Sequence, residues 1–273
     1  MDTAKQTIWH KAYERALKTI TSLRNHCDFK YDKDATNANK VIILNAVRPT
    51  VKKYTPGEKI EREAVSATSQ ELLIDQFHYF NIGIDDIVKA QTVPGALESS
   101  AEEGALALSE KGDEYVATIV KDGVTDGTIH ATPSAKATKS NALELVEDGF
   151  EVLYGNNCKV QEEYWLEIAP SFHKVFRPAL TEVLTNNVDM AKKGVVGRYG
   201  NALVTIENML PSDDTDVYNI LRTKHAIAFV EQIRKTKTYE PEDGFEQAIK
   251  ALYAFGAKLV REKEIVVIKT QKA

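Results

Sequence analysis

The feature that most constrains the fold lies between residues 94 and 123. Leu97, Ala101, Ala105, Leu108, Gly112, Tyr115 and Ile119 recur at steps of three and four, one face of a 3.6-residue helix. Glu98, Glu102, Glu103, Glu110, Lys111 and Glu114 fall off that stripe and can stay in water. Pro94 and Gly95 interrupt what precedes it, and Gly123 is placed to cap its end. At about 1.5 Å per residue, a helix over residues 97–121 is roughly 37 Å long. A helix of that length needs one continuous surface to lie on, so it reads as a spine.

The segments before it pose a packing problem. Ile8, Trp9, Ala12, Tyr13, Ala16, Leu17 and Ile20 predict an amphipathic helix. A polar stretch over residues 28–40 then tethers it, with no obvious local cover for its apolar face. Residues 41–54 and 72–84 read as two strands. Val41, Ile43, Val47 and Val51 share a register in the first; Phe77 and Tyr79 share one face of the second, with Ile74, Phe80, Ile82 and Ile84 on or near the other. Between them lies the turn signal Thr55-Pro56-Gly57-Glu58-Lys59, in a region from 48 to 69 where apolar residues nearly vanish. Fourteen residues of strand reach about 46 Å at roughly 3.3 Å each, whereas a compact chain of this length has a radius of gyration of only about 18–19 Å. The hairpin therefore protrudes. An isolated two-stranded ribbon is marginal in water and offers edges for pairing, so it is either mobile or covered by another copy.

The remainder alternates short elements. Residues 121–140 read as turns and short strands. Asn141, with Glu144 as capping-box partner, opens a helix faced by Leu145, Val146, Phe150 and Leu153 and closed by Gly155-Asn156-Asn157. Strands are expected at 164–168, 202–206, 217–222 and 265–268, and short helices at 172–184, where Pro178 should bend or divide the run, and at 226–233. Residues 245–260 fit helix or strand. The 273 residues suit one large domain or two closely joined ones.

The candidate chemical motifs have plainer readings. Residues 194–200 form a glycine-rich turn, but a strand follows it where a phosphate cradle needs a helix. Asp213, Asp214 and Asp216 lack the glycine and closing Glu of a calcium loop. The histidines, 10, 26, 78, 130, 173 and 225, show no metal-ligand spacing and no adjacent nucleophile. Glu162-Glu163 and Asp85-Asp86, if on strands, point to opposite faces and cannot share a proton. Trp165 and Phe172 read as core rather than base-stacking residues. Cys27 and Cys158 are expected as two free thiols. A net charge of −5 argues against sequence-specific nucleic-acid recognition. No catalytic, metal or cofactor site is expected, and no membrane span or signal peptide.

The ordered set carries a resemblance. FHYFNIGIDDIVKAQ followed by ALALSEKGDEYVATI, then TKHAIAFVEQI and ALYAFGAKLVREKEIVVI, resembles the major capsid proteins of tailed bacteriophages, the HK-type or Johnson fold. That resemblance implies an α+β chain with an N-terminal arm helix (1–40), an extended β-hairpin loop with its base strands (41–90), a peripheral domain with the spine helix (91–140 and 234–273) and an α/β axial domain (141–233). It implies self-assembly into pentamers and hexamers of an icosahedral virion shell, built in the host bacterial cytoplasm around double-stranded DNA. Subunit contacts would come from the loop tip, Lys52, Lys53, Tyr54, Thr55, Pro56, Gly57, Glu58 and Lys59, and from the arm residues Ile8, Trp9, Tyr13 and Leu17. The implied partners are copies of itself, a separate scaffolding protein and a portal. An encapsulin-like nanocompartment and a soluble α/β enzyme with its site near residues 194–200 are the alternatives.

Overall fold

The computed structural model describes residues 23–33, 39–45, 50–51, 53–54, 56, 59, 68–85, 96–179, 195–242 and 246–272. The long helix, α1, runs over Ala96–Thr125, 30 residues. Its buried side is Ala105, Leu108, Gly112, Val116, Ala117 and Val120, with Tyr115 and Ile119 half-buried at its flank. The buried stripe is thus rotated by about one residue from the expected one beyond Gly112. Asp113 shares that side because its carboxylate accepts the Arg24 backbone N–H at 2.8 Å. The helix does not stop at Gly123. It runs on to Thr125, because Gly123 leaves room for the Ile129 side chain, whose Cδ1 would lie 2.6 Å from an added Cβ. The reversal comes at Gly127, at φ +79°.

Eleven strands are described: β1 Lys40–Asn45, β2 Thr68–Leu73, β3 Gln76–Asp85, β4 His130–Ala131, β5 Tyr164–Ile168, β6 Val195–Tyr199, β7 Ala202–Ile206, β8 Asp216–Thr223, β9 Ile227–Tyr239, β10 Glu246–Leu259 and β11 Ile265–Gln271. They form a β1-β2 ribbon, a β3-β10-β9 sheet and a six-stranded sheet in the order β4-β11-β8-β5-β7-β6. The α1 helix packs on the three-stranded sheet, its core including Phe229, Tyr253 and Phe255. A second core joins the six-stranded sheet to α2 (Ala142–Gly155) and α3 (Pro170–Phe176) through Phe150, Tyr164, Leu166, Phe172 and Val266.

Several expectations change. The strand expected over 72–84 is two strands in two sheets. The chain leaves β1 at Leu73 and enters the pairing with β10 at Gln76. Gly256 permits the crossover, since a Cβ there would stand 2.1 Å from the Leu73 carbonyl oxygen. Of the first expected hairpin strand, Lys40–Asn45 is strand, Thr50, Val51 and Tyr54 are not, and residues 46–49 lie outside the described residues. The short helix expected at 226–233 is the start of β9. An unbroken apolar run has no period to separate helix from buried strand, and pairing with β10 decides it. Residues 246–259 are likewise strand. Residues 195–199 are the strand β6; among the described residues of that stretch the turn lies at Gly200, at φ +53°, and Asn201.

Asn141 stands at the head of α2 but bonds no helix N–H. Its side-chain oxygen accepts from the Thr138 backbone N–H and hydroxyl and its amide donates to the Lys136 carbonyl, so it closes the preceding turn instead of a capping box. The exit at Gly155-Asn156-Asn157 is as expected, with Asn157 at φ 63°. α3 ends at Phe176 and Pro178 sits in a 3-10 turn, Arg177–Ala179, while residues 180–184 of that expected run lie outside the described residues.

Candidate assembly surfaces

The β1-β2 ribbon has two unlike faces. Val41, Ile43, Leu72 and Ile74 are buried against Ala228 and Val230. The opposite face carries Ile42, Leu44 and Leu73, exposed by 55%, 70% and 52%. Register places Lys40 opposite Leu73 and Ile42 opposite Glu71, and Lys40 Nζ bonds Glu71 at 2.6 Å. Lone exposed apolar side chains are ordinary, but three on one face of a six-residue ribbon make a patch of the sort that marks an interface.

A second uncovered face belongs to the three-stranded sheet, on the side away from α1. Phe77 and Tyr79 are exposed by 60% and 76% there. Tyr79 stands in register with Leu252 and Lys235, and Asn81 with Lys250 and Lys237.

The segment following the arm is not loose. Residues 23–27 are wedged between the two cores. The Arg24 guanidinium donates to the Tyr253 hydroxyl at 2.6 Å and lies 3.1 Å from Glu231. His26 stacks on Trp165 with ring centroids 3.7 Å apart and bonds Glu167 at 2.8 Å. Arg222 grips both oxygens of Glu167, at 3.0 and 2.7 Å, and donates to the Leu23 carbonyl at 2.7 Å. Burial alone would raise the Glu167 carboxyl pKa; the Arg222 charge and the His26 contact outweigh it and hold the group below the ordinary carboxylate range. His26, Glu167 and Arg222 are buried and bonded to one another, so this is a structural tie. Trp165 is core, as its sequence context suggests. The buried His26, Glu167 and Arg222, far apart in sequence, carry no signal by which they could be grouped.

The expected contact residues divide. Ile8, Trp9, Tyr13 and Leu17, and Lys52, Thr55, Gly57 and Glu58, lie outside the described residues. Lys53, Tyr54, Pro56 and Lys59 are exposed.

The six-stranded sheet offers little to an enzyme reading. Asp213 accepts from the backbone N–H groups of Thr215 and Asp216 and from the Tyr218 hydroxyl at 2.8 Å, closing its own loop. These bonds hold its carboxyl far below the ordinary range, while burial and that same hydroxyl contact push the Tyr218 phenol up to about 12. An open cleft of about 500 Å³ includes Asn156, Asn157, Cys158, Arg261 and Lys263 in its lining. Burial pushes the Cys158 thiol up, and its S–H donates to the Lys263 carbonyl, so it is a poor nucleophile. Both cysteines are free. Among the described residues no group of three His, Cys, Asp or Glu could hold a metal ion, and no helix is long and apolar enough to cross a membrane.

No protein-family model and no curated protein matches the chain. Solved structures do. A protein of Mycobacterium phage Che8 is similar at a TM-score of 0.73 and 26% identity, with 90% of each chain covered. The capsid of Cyanophage P-SCSP1u is similar at 0.67 and 15%, covering 87% of this chain and 85% of that one. The chain has the HK-type phage capsid fold. A virus-like particle from Pyrococcus furiosus shares the fold at a TM-score of 0.56 and 14% identity, with 97% and 99% covered.

In this capsid fold the two uncovered faces sit on the ribbon and on the sheet beneath the long helix. Replacing Ile42 and Leu44 by lysine should shift the thermal transition of the dissociated subunit by no more than about 2–4 °C, since exposed substitutions cost roughly 0.5 kcal/mol each. The same pair should abolish assembly, read by sedimentation velocity.

Proposed function

We propose that the protein is a shell subunit that self-assembles into pentamers and hexamers of an icosahedral capsid enclosing the double-stranded DNA of a phage or prophage. The observation that carries this reading is the apolar outer face of the ribbon, Ile42, Leu44 and Leu73, left open on a chain with a capsid fold. Fully burying a side chain of that size contributes about 1.5–3 kcal/mol, and a lattice repeats the gain at every copy. The loop tip around Lys52 to Lys59 then reaches across a neighbouring subunit, and the arm bearing Ile8, Trp9, Tyr13 and Leu17 lies on another. Residues 141–233 form the axial part and residues 91–140 and 234–273 the peripheral part, although strand β11 is hydrogen-bonded into the sheet of the axial segment. A separate scaffolding protein and a portal complete the assembly, which takes place in the host bacterial cytoplasm. The role is structural and non-enzymatic.

A second reading has one observation in its favour, the near-complete match with the Pyrococcus furiosus virus-like particle. It makes the shell a nanocompartment around a cargo protein. Electron microscopy of the purified protein across concentration and ionic strength tests both. Closed shells, tubes, or free rings of five and six are expected, and a persistent monomer that binds a phosphorylated ligand would overturn them. Co-purifying DNA favours the capsid and a co-purifying enzyme the compartment. Deleting residues 54–59 should leave the body folded and abolish closed particles; unchanged particle yield would remove the loop from its assigned role.

A further inference from the structure

The face of the three-stranded sheet away from α1 is divided by chemistry. Its rows run across β3, β10 and β9. One row is Tyr79, Leu252 and Lys235, and the next is Asn81, Lys250 and Lys237. Phe77 lies two residues from Tyr79 on β3 and so shares its face. Aromatic rings therefore line one edge of the sheet. Ammonium groups line the other, about 10 Å away at roughly 4.8 Å per strand. Phe77, Tyr79, Lys235, Lys237 and Lys250 are all exposed.

The lysine half is costly as it stands. Lys250 is directly opposite Lys237, and like charges so placed destabilise a sheet. Among the described residues the lysine ion pairs are those of Lys40 and Lys111, and none involves these three. Lys250 rests on a ring instead, its Nζ 4.4 Å from the Tyr239 centroid. The Tyr239 hydroxyl accepts from Asn81 Nδ2 at 2.7 Å, which holds that ring across β10. Glu246, on the same face, turns its carboxylate over Gly83 and not onto Lys250. This local excess of positive charge sits on a chain of net charge −5.

We infer that this face binds single-stranded nucleic acid without sequence preference, bases stacking on Phe77 and Tyr79 and phosphates lying along Lys250, Lys235 and Lys237. Every base has a π-face, so an exposed ring on a sheet takes any of them, while lysines hold the backbone. The two rings are about 7 Å apart along the strand, so each can take its own base. A duplex keeps its base faces inside the stack and offers the rings nothing. An acidic peptide would satisfy the lysines and leave the rings in water. The inference is independent of the shell reading, since it concerns a surface of the single subunit.

Fluorescence anisotropy of a labelled oligothymidylate with the dissociated subunit tests it. Binding is expected, with log K falling against log salt at a slope of about −2, roughly 0.7 for each phosphate held by a lysine. Lys235→Gln with Lys237→Gln and Lys250→Gln should weaken binding and flatten that slope toward zero. Phe77→Ala with Tyr79→Ala should weaken it about tenfold or more and leave the slope unchanged. Phe77→Leu with Tyr79→Leu, which keeps apolar bulk without a ring, should do the same. Unfolding midpoints should stay close to wild type, because exposed substitutions cost little. A duplex of equal length should be indifferent to the aromatic pair, and polyglutamate of equal charge should bind more weakly than the oligonucleotide. Three results would overturn the assignment: no binding by the folded wild type, wild-type affinity in both aromatic variants, or polyglutamate bound as tightly as the single strand. The last would make the face a dock for acidic peptide.

Discussion

Replacing Arg222 by methionine should destabilise the protein by about 3–5 kcal/mol, because it strands the Glu167 carboxylate at a fully buried site with one partner gone. Urea unfolding at neutral pH would read this as a fall in midpoint at unchanged slope. The loss extends past the pair, since the Arg222 guanidinium also holds the Leu23 carbonyl and so ties residues 23–27 to the six-stranded sheet. Replacing Arg222 and Glu167 together by apolar residues should cost less than the single change, for no buried charge is then left unpaired. The pH dependence has a definite sign. In the wild type Glu167 titrates below its ordinary value, so its contribution is complete above the unfolded carboxyl pKa and is lost as pH falls through the lowered folded one. Without Arg222 burial dominates and the folded pKa rises. The gap between variant and wild type should therefore be widest at neutral pH, narrow as pH falls toward the ordinary carboxyl value because the variant's raised group takes up its proton, and narrow further below it as the wild type loses its own contribution. A gap that is flat with pH would mean that Glu167 is not the group left stranded.

The second large effect is steric. Gly256→Ala sets a methyl 2.1 Å from the Leu73 carbonyl oxygen and 3.0 Å from the Ile74 Cα, both backbone atoms. No rotamer change relieves a clash with backbone, so the ribbon must move away from β10. The expected cost is about 3 kcal/mol, the upper end for overpacking. Hydrogen exchange should locate it: the amides of β1 and β2 lose protection first, because the crossover anchors the ribbon, while those of β5 and β8 fall only with global stability. Equal loss in both places would mean that the crossover and the second core unfold as one unit.

These two sites also mark where reading the chain stops. The long helix was legible because an apolar step of three and four over this length has one solution, as was the fully buried strand 164–168 between its turn signals. The face of the ribbon that binds the body was legible from Val41 and Ile43. The strand at 227–239 was not, because an apolar run buried on both sides looks alike as helix or strand until a partner is known. The division of residues 72–84 into two sheets was hidden for the same reason: alternation continues across Ile74 and Asp75, and only a glycine 182 residues later lets the crossover occur. Asn141 followed the capping pattern, yet a nearer set of donors at Thr138 took its side chain.

What the sequence determined by itself is local in origin: the helix, the turn at Gly155-Asn156-Asn157, and the order of elements that matches a capsid fold. These follow from periodicity and backbone preference, which act over a few residues. The tertiary structure alone decided that β3 shares a sheet with β10, and how residues 23–27 bind both cores through Glu167 and Arg222. Those outcomes depend on register between segments more than a hundred residues apart, and no local preference encodes register at that distance.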